Sequence, residues 1–219
     1  MDWHVEGNGS VTFQNGALVI ETFRVRPDAK ATTVWRRDLT LPKNFELSFT
    51  HRSDAENGNT MVIFNALPLS LAGLFDDPRP DARYNDLTAY GKMMAHTVGF
   101  HRGVYGRPSV LRKVGGHVPD GWGSHPFGTP AWNREDSTTA LRTAQEPLTG
   151  EDRGKPHRYV LTRMGDRITF AVNQITVHDY TDCLEYPYID KMLHGGHLAF
   201  RNFTGPAVDV YDDIVIRAL

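Results

Sequence analysis

Cysteine is almost absent from this chain: Cys183 is the single one in 219 residues, so no internal disulfide can form, and it lacks any metal-type spacing. A reducing, cytoplasmic setting is the simplest expectation. Long apolar runs are also missing, and no segment reaches membrane-spanning length. The first residues, from Met1 to Phe13, carry neither a basic nor an apolar block of the signal-peptide kind. Charge of one sign is not in excess. The formal net charge is −2, and no basic stripe is present. That gives no electrostatic reason to expect nucleic acid or an anionic membrane as partner. No glycine-rich phosphate loop follows a strand and opens a helix, and no nucleophile elbow appears. Helix-length periodic stretches are scarce too; only Leu71–Phe75 and Thr138–Arg142 invite helix. No repeat or composition break divides the chain, and residues 1–219 are read as one domain.

What is present is β-structure in short pieces. Ser10–Phe13 and Ala17–Glu21 flank Gln14-Asn15-Gly16, a hairpin turn signal. Asn44–Thr50 alternates, with Phe45, Leu47 and Phe49 on one face and Glu46, Ser48 and Thr50 on the other. Thr32–Asp38, Thr60–Ala66, Ala95–Arg102, Ser109–Val114, His157–Met164, Arg167–Asn173, Ile175–Tyr180, His197–Phe203 and Val208–Ala218 are further strand candidates. Gly115–Asp152 reads as a long excursion without periodicity. Many short strands with Gly/Asn/Asp turns predict an all-β sandwich or jelly roll.

The order of the C-terminal motifs sharpens this. Lys155–Leu161, then Asp166–Asn173, then Gly196–Asn202 and Val210–Ile216 resemble the closing strands of the concanavalin-A-like jelly roll. That resemblance implies two antiparallel sheets with long loops over the concave face. More narrowly, Asp2–Gly7, Leu74-Phe75-Asp76, Leu111-Arg112-Lys113 and the closing strands resemble the YesU-like family of uncharacterised bacterial proteins. The named member of that family belongs to a gene cluster for using rhamnogalacturonan, a plant pectin. What the resemblance implies is a saccharide ligand, with no residue roles to carry over. Asn173-Gln174 departs from the usual Asn-Gly turn and places strain at Gln174.

The stretch from Tyr84 to Asp136 concentrates His96, His101, His117, His125, Trp122, Trp132 and several arginines. It reads as cleft strands with a lid loop over residues 115–136. On Ala95–Arg102 one parity carries His96, Val98, Phe100 and Arg102, and the other carries Thr97, Gly99 and His101. The small Gly99 favours the second as the groove face. On that basis His101 is the candidate base, Tyr105 the acid, and Arg112 or Lys113 the cation that neutralises the enolate formed by proton abstraction beside a uronate carboxylate. Phe100-His101-Arg102-Gly103-Val104-Tyr105 is loosely similar to a motif of jelly-roll alginate lyases. Asn65, Tyr90, His96, Arg102, Arg107, His117, Trp122 and Trp132 are the candidate saccharide contacts, the tryptophans by stacking on sugar rings. Each of these residue types also suits a plain structural role, as a solvated strand face, a hydrogen-bonded histidine or a loop anchor. No E-x-D-x-x-E run supplies the paired carboxylates of jelly-roll glucanases, which favours elimination over hydrolysis. Two other readings stand beside cleavage: a non-catalytic saccharide-binding module, and a structural partner of a sugar-pathway enzyme. No motif calls for a cofactor; a structural ion such as calcium is compatible, and so is a homodimer through exposed edge strands.

Overall fold

A computed structural model describes residues 2–7, 9–22, 32–55, 59–68, 74–75, 93–114, 138–182, 193–203 and 207–219. Among the described residues, fourteen strands form two antiparallel sheets. The first sheet runs in the order β1 (Trp3–Glu6), β4 (Thr32–Arg36), β13 (His197–Phe203), β6 (Asn59–Pro68), β7 (Met93–Phe100), β8 (Ser109–Val114) and β9 (Thr138–Ala144). The second runs β12 (Ile175–Thr181), β11 (Arg167–Val172), β10 (His157–Met164), β5 (Phe45–Ser53), β14 (Ala207–Ala218), β3 (Ala17–Thr22) and β2 (Ser10–Gln14). The expected all-β, two-sheet architecture is the one observed.

The period-two pattern builds the layer between the sheets. Phe45, Leu47, Phe49, Tyr159, Leu161, Ile168 and Phe170 come from the second sheet and Val34, Val62, Phe64, Val98, Phe100, Leu111 and Phe200 from the first, all buried. Phe49 sits at its centre, with ring centroids 5.3–5.4 Å from those of Phe100, Tyr159 and Phe200. Polar networks close this layer at both ends. At one end His51 is bound to Asp209 at 2.8 Å, and Asn202 links Asp209 to the Tyr211 hydroxyl. At the other, Asp182 is ringed by Lys113 at 3.1 Å, His96 at 3.2 Å and Arg163 at 3.7 Å. The register puts the two networks apart, because His157 pairs with His51 while Arg163, six residues along the same strand, pairs with Phe45.

Two expectations from sequence need correction. Thr138–Ala144, part of which invites helix, is a strand that extends the first sheet by pairing with β8. Its β-branched threonines suit a strand, and tertiary pairing overrides a weak local preference. The excursion over 115–152 is therefore not irregular throughout, since it also holds a short 3-10 turn at Gly150–Asp152. The strand at Trp3–Glu6, too short for a periodic signal, forms the edge beyond β4. Leu71–Gly73 and the lid region 115–136 lie outside the described residues, while Leu74 and Phe75 form a turn.

Candidate functional site

The outer face of the first sheet carries the candidates Arg102 and Arg112, and its composition follows from register. Thr97 lies opposite Arg112, and His96 opposite Lys113. Residues 96, 98 and 100 turn inward with the core, so Thr97, Gly99 and Arg112 turn outward. On neighbouring strands the same face carries Met61 and Ile63 of β6, Ala199 and Arg201 of β13, Thr33 and Trp35 of β4, and His4 and Glu6 of β1.

One end of this face is covered. The Phe75 ring packs on Trp35, His4 and His197 with centroids 6.0, 5.5 and 4.9 Å away, and Trp35, Ile63 and Ala199 are fully buried. The Trp35 indole N–H donates to Glu6 Oε2 at 2.9 Å, and His4 Nε2 stands 3.7 Å from Glu6 Oε1. Arg201 is buried in the same face and donates from Nη1 to Thr33 Oγ1 at 3.0 Å.

Over β7 and β8 Thr97, Gly99 and Val110 are buried too, and Arg102 and Arg112 are the partly exposed charges. Arg112 reaches out from β8. Beside it, β7 ends at Phe100, and the chain enters a turn with His101 at φ +58°. That turn brings the Arg102 side chain back over Gly99: a Cβ built on Gly99 would lie 3.1 Å from Arg102 Cδ and 3.2 Å from its Nη1. Gly99 is the diagonal neighbour of Arg112, and such positions lie about 7–8 Å apart on a sheet. The Arg102 side chain and residue Arg112 thus lie over adjacent strands on one face.

The turn also decides where His101 goes. Phe100 and His101 do not alternate as in a continuing strand, because the left-handed residue swings the imidazole inward. Its Nδ1 is 3.3 Å from the Tyr159 hydroxyl, and its ring centroid is 5.0 Å from that of His51. Burial, with a smaller contribution from His51, pushes its pKa down to about 3. The expectation that His101 shares the groove with Gly99 is therefore not met: Gly99 faces out and His101 faces the core.

Lys113 and His96 are likewise interior, both fully buried against Asp182. Burial outweighs the Asp182 carboxylate and lowers His96 to about 4. Tyr105, in the 3-10 turn Gly103–Tyr105, donates its hydroxyl to the Ala55 carbonyl at 3.0 Å. Asn65 sits at a β-bulge with φ +52°, and its amide donates to the Gly195 carbonyl at 2.8 Å. Arg107 is exposed beyond the turn, its backbone N–H bonded to the Arg102 carbonyl. Of the sequence-derived candidates, then, the structure places Arg102 and Arg112 over neighbouring strands of one face and turns His101, Lys113 and His96 into the core. Tyr90, His117, Trp122 and Trp132 lie outside the described residues. Among the described residues no group of three metal-ligating side chains is present, and no helix is long and apolar enough to cross a membrane.

Sequence reasoning passed over Arg201 and Glu146. Arg201 had a signal: Leu198 and Phe200 on its strand point to the core, so the alternation turns Arg201 outward. Glu146 had none, since its partners come from a distant turn.

No protein-family profile matches the chain, and no curated protein does. Solved structures do. A protein of unknown function with a galectin-like fold from Bacillus subtilis superposes with a TM-score of 0.75 at 20% identity, over 99% of this chain and 89% of that one. A carbohydrate-binding module of family 66 from the same organism gives 0.55 at 11% identity, over 99% and 95% of the two chains. A family 16 endo-glucanase from Bacteroides ovatus gives 0.56 at 11%, over 99% and 94%. The fold is thereby identified as a galectin-like β-sandwich. Membership of the YesU-like family is not shown by these likenesses.

Proposed function

We propose that the protein is carbohydrate-active and that it retains an acidic, uronate-bearing oligosaccharide on the outer face of its first sheet, with Arg102 and Arg112 receiving the sugar carboxylate. The observation that carries the reading is their joint placement: Arg112 opposite Thr97, and Arg102 laid over the diagonal glycine. Guanidinium pairs suit planar carboxylates better than neutral hydroxyls do. The carbohydrate-binding module and the glucanase that share the fold support a saccharide as ligand by analogy. A pectin fragment is the natural candidate from the YesU-like resemblance.

Geometry favours retention over cleavage. An elimination needs a base beside the cation, and His101 and Lys113 point into the core. Among the described strand residues of this face the carboxylate is Glu6, on β1. It stands five strand spacings from β8, about 24 Å at the usual interstrand distance. The reading is tested by mass spectrometry and affinity capture with oligogalacturonates and neutral glucan oligosaccharides. Intact galacturonates held by the protein, with neutral sugars left free, are expected. Galacturonate fragments produced without added water would restore an eliminative enzyme, and indifference to both sugar classes would remove the saccharide reading.

A further inference from the structure

We propose that Glu146 is the positioning residue of this site, holding the turn that lays Arg102 across the sheet; the inference rests on the reading of Arg102 and Arg112 as the anion-receiving pair. Glu146 belongs to the segment after β9 and is buried. One of its oxygens, Oε2, accepts the backbone N–H groups of both Arg102, at 2.5 Å, and Gly103, at 2.6 Å. The segment is pressed onto the turn. A Cβ added to Gly103 would meet the Leu148 carbonyl at 2.6 Å and Glu146 Cβ at 3.0 Å. Glycine at 103 is thus what lets the carboxylate reach both donors.

The turn needs such a clamp. His101 occupies the left-handed region, which costs a non-glycine residue about 1–2 kcal/mol. The next residue must then fold back so that its side chain runs along the floor at Gly99. Glu146 fixes the two peptide groups that set this direction. Gly99 clears the space that the arginine then fills.

Using a carboxylate for this purpose also ties the turn to pH. A neutral amide would accept the same two bonds without the cost of burying a charge. Among the described residues Glu146 Oε1 has no hydrogen-bond partner, and it can take a proton. Burial raises the pKa to about 7, and the backbone donors oppose that rise without cancelling it. Around it stand Arg102 and the His101 backbone of the turn and Tyr159 of β10, which in turn faces Tyr105 and Asp152. The ionised form accepts the stronger bonds, so the clamp is tighter above pH 7 than below it.

The test measures trigalacturonate affinity from pH 6 to 8 for the wild type, Glu146→Gln and Gly99→Ala. In parallel, amide NMR follows Gly103. The wild type is expected to bind more tightly as pH rises through about 7, with the Gly103 amide shift titrating alongside. Above pH 7 Glu146→Gln should bind about tenfold more weakly than the wild type, and it should lose both pH dependences while its circular dichroism is unchanged. Should that variant not fold, Gly99→Ala carries the test, because a methyl at this site displaces only Arg102 and should weaken binding several-fold at unchanged melting temperature. Wild-type affinity and pH profile in Glu146→Gln, or wild-type affinity in Gly99→Ala if it alone folds, would overturn the proposal while leaving saccharide binding intact. If the wild type ignores trigalacturonate, the saccharide reading fails separately. The Gly103 titration then decides: present in the wild type and absent in Glu146→Gln supports the clamp, and unchanged in the variant refutes it.

Discussion

Arg112 and Lys113 are neighbours in sequence with opposite fates, since successive residues of a strand face opposite sides of the sheet. Removing Arg112 should therefore affect ligand and spare the fold. Arg112→Ala is expected to weaken galacturonate binding by roughly ten- to a hundredfold, the worth of a charged hydrogen-bonding partner, with little change in melting temperature. Asp182 predicts the converse. It lies fully buried against Lys113, Arg163 and neutral His96, and Asp182→Asn leaves the Lys113 and Arg163 cations uncompensated. Breaking a buried network from one side costs about 3–5 kcal/mol, so denaturant unfolding should show a loss of that size. A loss below about 1 kcal/mol would mean that water reaches the cluster.

At the scale of the element, the β11–β12 hairpin turns through Asn173 and Gln174, both left-handed at φ +49° and +69°. Asn173 is useful there, since its amide side chain receives the Arg158 N–H at 3.0 Å and contacts His157 Nδ1 at 3.0 Å. Gln174 makes no such bond among the described residues. Gln174→Gly should raise stability by up to about 1 kcal/mol, measured by thermal unfolding, because glycine relieves the left-handed strain. The hairpins were legible in sequence for this reason: turn residues and alternation act locally, and most strands match their expected ranges within a few residues. The site was legible only in part. Register and parity located Arg112 once Val98 and Phe100 were assigned to the core. The reversal at His101 was hidden, because nothing between residues 100 and 103 announces a left-handed histidine, and Glu146, which clamps the turn, is more than forty residues away. Lys113 and His96 were misplaced for a related reason: their partner Asp182 is brought to them by the packing of the other sheet.

For the whole molecule, the polar ends of the core set an acid limit. Burial pushes His51 and His101 down to about 3, and His96 and His178 to about 4. Each stays neutral in the fold at a pH where the unfolded chain, near 6.5, takes up a proton, so stability falls as pH drops below 6.5. Glu146 and Asp209, raised by burial to about 7, act the other way. The fold binds their protons first, adding stability between pH 7 and the ordinary carboxylate values of 4.5 and 3.8. Four histidines against two carboxyls leave a net loss. The melting temperature should be highest near pH 6.5 and fall steadily towards pH 4; a flat profile would show that these histidines are not buried neutral.

The most direct test of the central claim is calorimetric titration of trigalacturonate and cellotriose into the wild type and the Arg102→Ala/Arg112→Ala double variant at low salt, where charge contributes most. The wild type is expected to bind the acidic sugar and not the neutral one, and the double variant to lose at least about a hundredfold in affinity while unfolding at the wild-type temperature. Equal binding of both sugars by the wild type, or undiminished galacturonate binding by the double variant, would contradict it.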